Sequence, residues 1–138
     1  ILNDELVLVI NKNHRWAAKK TITPDELSQE PFILREKGSG TLKIMEQYLK
    51  TCLHKGVDGL NVVARLGTST AIKEVIKANF GVSILSSQAI ETEVKAGILK
   101  TVKIKDMPPM TRPFYLIRDK RRVASPLCKA MIDFLVKV

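Results

Sequence analysis

Aromatic residues are scarce in this sequence: they make up 5% of its 138 residues, with a single tryptophan. A surface that stacks nucleic-acid bases on rings needs more of them, so that class of binding platform is excluded. Long apolar runs are also missing. The longest, Leu6 to Ile10 and Gly81 to Leu85, fall far short of the roughly 20 residues that cross a bilayer, and no membrane segment is expected. Only two cysteines occur, Cys52 and Cys128, within helical patterns and without metal-ligand spacing. They read as buried, reduced core thiols, which points to a cytoplasmic origin. The two histidines, His14 and His54, have no acid and nucleophile nearby in a recognisable arrangement and read as surface or packing residues. With no metal site, cofactor motif or catalytic constellation, the expectation is a protein that is not an enzyme. Ile1 is neither an initiator methionine nor the start of a signal pattern, so the chain reads as cut from a longer polypeptide.

Aliphatic residues are what the sequence does have. Hydrophobic residues form 45% of it, mostly Leu, Ile and Val, which suits a sheet covered by helices in one domain or two small lobes. The formal net charge is +9, but the basic residues are spread along the chain. Their densest run, Arg118-Asp119-Lys120-Arg121-Arg122, falls where a strand should give way to a helix and reads as a solvated turn.

Continuous β-rich runs at Leu6–Ile10, Phe32–Leu34, Asn61–Leu66, Val82–Leu85, Leu99–Ile104 and Phe114–Ile117 read as strands, mostly buried on both faces. Helical patterns alternate with them. Leu42, Met45, Leu49 and Cys52 recur at three and four within Thr41–Leu53; a second helix carries Ile72, Val75, Ile76 and Phe80 on one side; a third runs from about Ser87 to Lys95. The last has Ser125 as N-cap and Pro126 in its first turn, with Leu127, Met131, Phe134 and Leu135 as its inner face. Thr23 and Glu26 are spaced as a capping box for a short helix near Pro24–Ser28. Gly56, Gly81 and Gly97 each follow a helical pattern and suit left-handed caps. This alternation predicts an α/β fold with βαβ crossovers and a largely parallel sheet. The polar stretch Asn11–Thr23 and the segment Met107-Pro108-Pro109-Met110 are expected to be hinge crossings.

In open α/β sheets, ligands bind beyond the carboxyl ends of strands, where the N–H groups of the following helix attract anions. Lys37-Gly38-Ser39-Gly40-Thr41 and Gly67-Thr68-Ser69-Thr70 both lie between a strand and a helix. The first lacks a closing Gly-Lys-Ser/Thr, so it is no nucleotide-phosphate loop. Hydroxyls here can either cap a helix or hold a ligand, and the pattern leaves both open.

The order of these motifs resembles the second half of the effector-binding domain of LysR-type transcription regulators, over essentially the whole chain. The resemblance rests on Leu6–Ile10 leading to His14, Leu27 to Pro31-Phe32-Ile33, Gly38-Ser39-Gly40-Thr41, Ala71-Ile72 through Gly81–Leu85, and Arg112 to Ile117 followed by Ser125-Pro126 to Phe134. It implies a fold like type II periplasmic binding proteins, with one complete lobe at 20–105 and part of the other lobe at 1–16 and 112–138. It further implies a small effector in the cleft, contacted by Ser39, Gly40, Thr41, Thr68, Ser69 and Asn11, and a homo-oligomeric full-length protein that meets DNA through a domain absent from this chain. Helix Leu42–Leu53 and the strand after it match surfaces relatives use for antiparallel dimerisation. A missing first-lobe stretch would leave millimolar affinity where an intact cleft binds at about micromolar, roughly −8 kcal/mol. The sequence departs from the common pattern at Arg15, where proline is usual, at Asn79, where the turn's first glycine is usual and a left-handed backbone is still accessible, and at Ser86. Segments 61–85 and 112–122 look most like a subgroup linked to sulfur or selenium metabolism, favouring an oxyanion or amino-acid-like effector. A lobe of an extracytoplasmic solute-binding protein, which shares the fold, is the alternative.

Overall fold

A computed structural model describes residues 2–137. Strands β1 (Leu2–Asn11), β2 (Thr21–Ile22), β3 (Pro31–Arg35), β4 (Asn61–Leu66), β5 (Ser83–Ser86), β6 (Leu99–Ile104) and β7 (Met110–Phe114) alternate with helices α1 (Pro24–Gln29), α2 (Gly40–Cys52), α3 (Ser69–Lys77), α4 (Glu91–Lys95) and α5 (Pro126–Lys137). A 3-10 turn, Gln88–Ile90, leads into α4. Thr23 and Glu26 form the complete capping box of α1, as their spacing predicts.

Strands β2, β6, β1 and β5 lie side by side, β7 also pairs with β1, and β3 pairs with β4. Bonds from Ile33 N–H to Val82 C=O and from Val82 N–H to Pro31 C=O, both 2.9 Å, set β3 beside the entry to β5. The pairs β3/β4 and β2/β6 are parallel, as is the bridge Phe32–Val82. The largely parallel expectation holds for these strands and needs one correction: β1 is antiparallel to β5, β6 and β7. Strand β1 enters the sheet between two strands laid down much later in the chain, so no βαβ crossover fixes its direction.

Alternation along the strands feeds two cores. Leu6, Leu8 and Ile10 of β1, with Phe32 and Leu34 of β3, pack with Trp16, Leu27 and the α2 residues Leu42, Met45 and Leu49. Val9 and Ile33 point the other way, to Ile72 and Ile76 of α3 and to Leu85, Ile90 and Leu99. The sheet is thus covered on both faces, and β1 and β3 read as unbroken apolar runs for that reason.

Two expectations at the C-terminal end fail. The strand after Pro109 is Met110–Phe114 rather than Phe114–Ile117. Pro113 is tolerated there because β7 has only β1 as a partner, opposite Asn3. Tyr115 and Ile117 are exposed instead, and so are Leu127, Met131 and Phe134 of α5. Among the described residues nothing covers that helix face, which also leaves Cys128 exposed rather than buried. The basic run 118–122 is solvated, with Asp119 bonding Arg121.

Gly56 and Gly97 take the left-handed backbone foreseen for them, but after α3 that role belongs to Asn79, at φ 61°. Gly81 is needed for another reason: a Cβ there would lie 2.5 Å from Ile33 Cδ1 and 2.8 Å from Pro31 O. Gly81→Ala should therefore cost about 1–3 kcal/mol through overpacking, whereas Asn79→Gly should change stability by less than about 0.5 kcal/mol, because relief at positive φ offsets the freer unfolded chain. Urea unfolding of both variants checks this contrast.

Candidate functional site

Helices α2 and α3 begin just past the carboxyl ends of β3 and β4, which are neighbouring parallel strands. Ser39 is the N-cap of α2 and accepts from Leu42 N–H; Thr68 is the N-cap of α3 and accepts from Ala71 N–H. The capping role therefore holds for one hydroxyl at each start. The other hydroxyls are engaged differently. Ser69 Oγ accepts from Arg35 Nη1 at 3.3 Å, while Arg35 Nη2 donates to Gly67 O at 3.2 Å. Arg35 Nε is buried without a partner. Thr41, 7% exposed, accepts from Arg112 Nη1 at 3.3 Å.

Arg112 belongs to β7, and its guanidinium is held by Asp4 of β1, with Nε and Nη2 at 3.1 and 3.0 Å from Oδ2. Asp4 is 3% exposed and its other oxygen accepts from Ser86 Oγ at 2.7 Å. The reversed direction of β1 makes this possible, since it brings the start of β1 to the carboxyl ends of the parallel strands. Asp4, Arg35, Ser39, Gly40, Thr41, Thr68, Ser69, Ser86 and Arg112 thus share one edge of the sheet.

Asn11 lies at the opposite edge. Its Nδ2 donates to Ile76 O and Lys77 O, at 3.1 and 2.7 Å, and its Oδ1 accepts from Asn13 N–H. It closes the C-terminus of α3, about a helix length of ~13 Å from Ser69. The structure gathers five of the six expected contact residues and leaves Asn11 apart from them. Arg35 and Arg112 were not foreseen, because their partners lie 34 and 71 residues away in sequence and no local spacing announces such pairings.

His14 is a packing residue: Nε2 lies 2.6 Å from Glu30 Oε1, and Nδ1 accepts from Trp16 N–H at 3.0 Å. Arg15, where proline is usual, reaches Glu30 Oε2 at 2.5 Å and lies over the Trp16 ring, so this segment is fastened to the end of α1. His54 is exposed. Lys73 of α3 pairs with Glu93 of α4 at 2.9 Å, and its hydrogen bond holds the Glu93 carboxyl below the usual range. No group of His, Cys, Asp and Glu among the described residues could hold a metal, and no helix is long and apolar enough to cross a membrane.

The model of the LysR substrate binding domain matches residues 1–138. The chain belongs to the LysR substrate binding domain family. An HTH-type transcriptional regulator from Methanocaldococcus jannaschii is 34% identical over 137 residues, 98% of this chain and 45% of that protein. The regulatory domain of Synechocystis PCC6803 CcmR, solved in complex with 2-PG, matches with a TM-score of 0.83 at 29% identity, over 99% of this chain and 63% of that one. The effector-binding domain of QuiR, solved with shikimate, has a TM-score of 0.75 over 98% of this chain and 61% of that one, and at 22% identity shows the fold. The chain spans less than half the length of the curated relatives it matches. Those relatives are named as transcriptional regulators rather than enzymes. The α/β, periplasmic-binding-protein-like fold and the role of LysR effector-binding domain follow, and the solute-binding alternative gives way.

Burial of Cys52 pushes its thiol up from the ordinary range, so it is a poor thiolate nucleophile. Thiol labelling of the native chain should modify exposed Cys128 first, with Cys52 lagging at least tenfold until the fold is opened; equal rates would contradict the packing of α2.

Proposed function

We propose that this domain senses a small anionic metabolite at the carboxyl edge of its sheet and passes the signal to a helix-turn-helix DNA-binding domain elsewhere in the full-length, cytoplasmic regulator. The observation that carries this is the convergence of two helix starts with two arginines, one attached to each. Ser39, Gly40 and Thr41 at α2 and Thr68 and Ser69 at α3 form one donor-rich rim; Asn11 serves the fold from the other edge. In this reading 20–105 is one lobe, 1–16 and 112–138 belong to the other, and the effector lies between them. The partnership of Asp4 and Arg112 with Thr41 and Ser86 supports a cleft there, because β7 and the start of β1 meet the rim from the side opposite α3.

Backbone N–H groups at helix starts and arginine side chains favour carboxylates, phosphates and other oxyanions. The likeness of 61–85 and 112–122 to the subgroup linked to sulfur or selenium metabolism adds sulfur- and selenium-containing anions to that class. Signalling requires the effector to favour one arrangement of lobes or subunits over another. The apolar face of α5, uncovered among the described residues, and the α2–β4 surface are where a homo-oligomer would assemble.

A thermal-shift screen tests the proposal, with shikimate, phosphate, selenate and small sulfur-containing acids beside uncharged analogues. At ten times Kd an anion should add about 1.4 kcal/mol, or about 5 °C for a chain of this size, and the uncharged analogues should add nothing. The chain should show no operator-specific DNA binding. Stabilisation by uncharged compounds alone would overturn the anionic assignment.

A further inference from the structure

Resting on the effector site described above, we propose that Arg112 is the residue that makes this site select anions, by fixing the polarity of the Thr41 hydroxyl. A threonine hydroxyl can accept from a ligand or donate to it. Here its oxygen already accepts from Arg112 Nη1, and no acceptor for its proton is present among the described residues. The hydroxyl is therefore set as a donor. Thr41 is a buried residue, 7% exposed, and a hydroxyl proton left without an acceptor there is costly.

Neighbouring groups have the same sense. Gly40 and Thr41 hold the first turn of α2, where backbone N–H groups have no partner within the helix, and a Cβ on Gly40 would lie 3.8 Å from Arg112 Nη1. Three of the five guanidinium N–H groups face Asp4 and Thr41, so two more donors remain. A ligand oxygen reaching this turn meets these donors, while the Glu36 carboxylate lies at the neighbouring helix start, 3.5 Å from where a Cβ on Gly67 would be. A protonated amine meets the guanidinium and the positive end of the helix dipole, both unfavourable.

Asp4 is the positioning residue. Ser86 and Arg112 occupy both of its oxygens, and the Phe114 ring lies 5.2 Å from the guanidinium carbon. Together these aim Nη1 at Thr41. Lysine cannot replace this arrangement, because an ammonium paired with Asp4 cannot also present a second, rigidly spaced nitrogen to Thr41.

The test compares shikimate with its uncharged methyl ester, and inorganic phosphate with sodium chloride at equal ionic strength, by thermal-shift titration of the whole chain. The parent should favour shikimate over the ester, and phosphate over chloride, at least tenfold. Arg112→Lys should reduce each preference to about threefold or less. Thr41→Val should weaken both anions severalfold and Thr41→Ser should not. Should Arg112→Gln fail to fold because it strands Asp4, the double variant Asp4→Asn with Arg112→Gln removes the buried charge and should show the same loss of preference. Equal weakening of acid and ester in Arg112→Lys would mean a merely structural role and overturn the proposal while leaving the site intact. Failure of the parent to bind any of these anions would overturn the proposal together with the site it rests on.

Discussion

Strand β1 is hydrogen-bonded along both edges and packed on both faces, and it runs against its partners β5, β6 and β7. That direction is the constraint on which the site depends. With β1 reversed, its first residues arrive where the parallel strands end, and a buried aspartate can meet an arginine from β7 beside the start of α2. Its last residues arrive at the other edge, where Asn11 closes α3 from below. A parallel β1 would exchange the two ends and separate Asp4 from everything it holds. The apolar alternation of Leu6, Leu8 and Ile10 against Val9 keeps the strand in register, because a one-residue slip would swap its two buried faces.

Much of this was legible in the residues. Thr23 with Glu26, Ser39 and Thr68 are caps whose bonding partners lie within three residues, so local spacing is enough to place the helix starts and hence the rim. Strands β3 and β5 were legible because burial on both faces leaves aliphatic runs. The expected two-faced burial does not extend to β4, exposed at every second residue, or to β6, where Lys100, Thr101 and Lys103 are exposed. These two were legible from their β-branched residues and the helices around them. The direction of β1 was not, since direction is a property of pairing across the chain. Arg35 and Arg112 escaped for the same reason. Asn11 was placed correctly at a strand end, but which edge of the sheet that end occupies follows from the reversed strand.

The last helix teaches a different lesson. Its apolar periodicity is real, yet Leu127, Met131 and Phe134 are exposed among the described residues. Periodicity says that a face seeks a partner and is silent about where that partner resides. Gly81 shows the complementary case, in which a glycine that looks like a cap is required by the close passage of Pro31 and Ile33. Positive charge is similarly ambiguous in sequence. The +9 excess is mostly solvated, and the two arginines that shape the rim are set apart by their fixed partners rather than by local charge density.

The central claim is that ligand recognition occurs at the carboxyl edge created by the reversed β1. Amide chemical-shift mapping by NMR on the isotopically labelled chain, titrated with phosphate and with shikimate, addresses it most directly. The account predicts that the largest shifts cluster at Asp4, Gly40, Thr41, Ser69 and Ser86. Shifts concentrated instead around Asn11, Ile98 and Leu99, at the opposite edge, would contradict it.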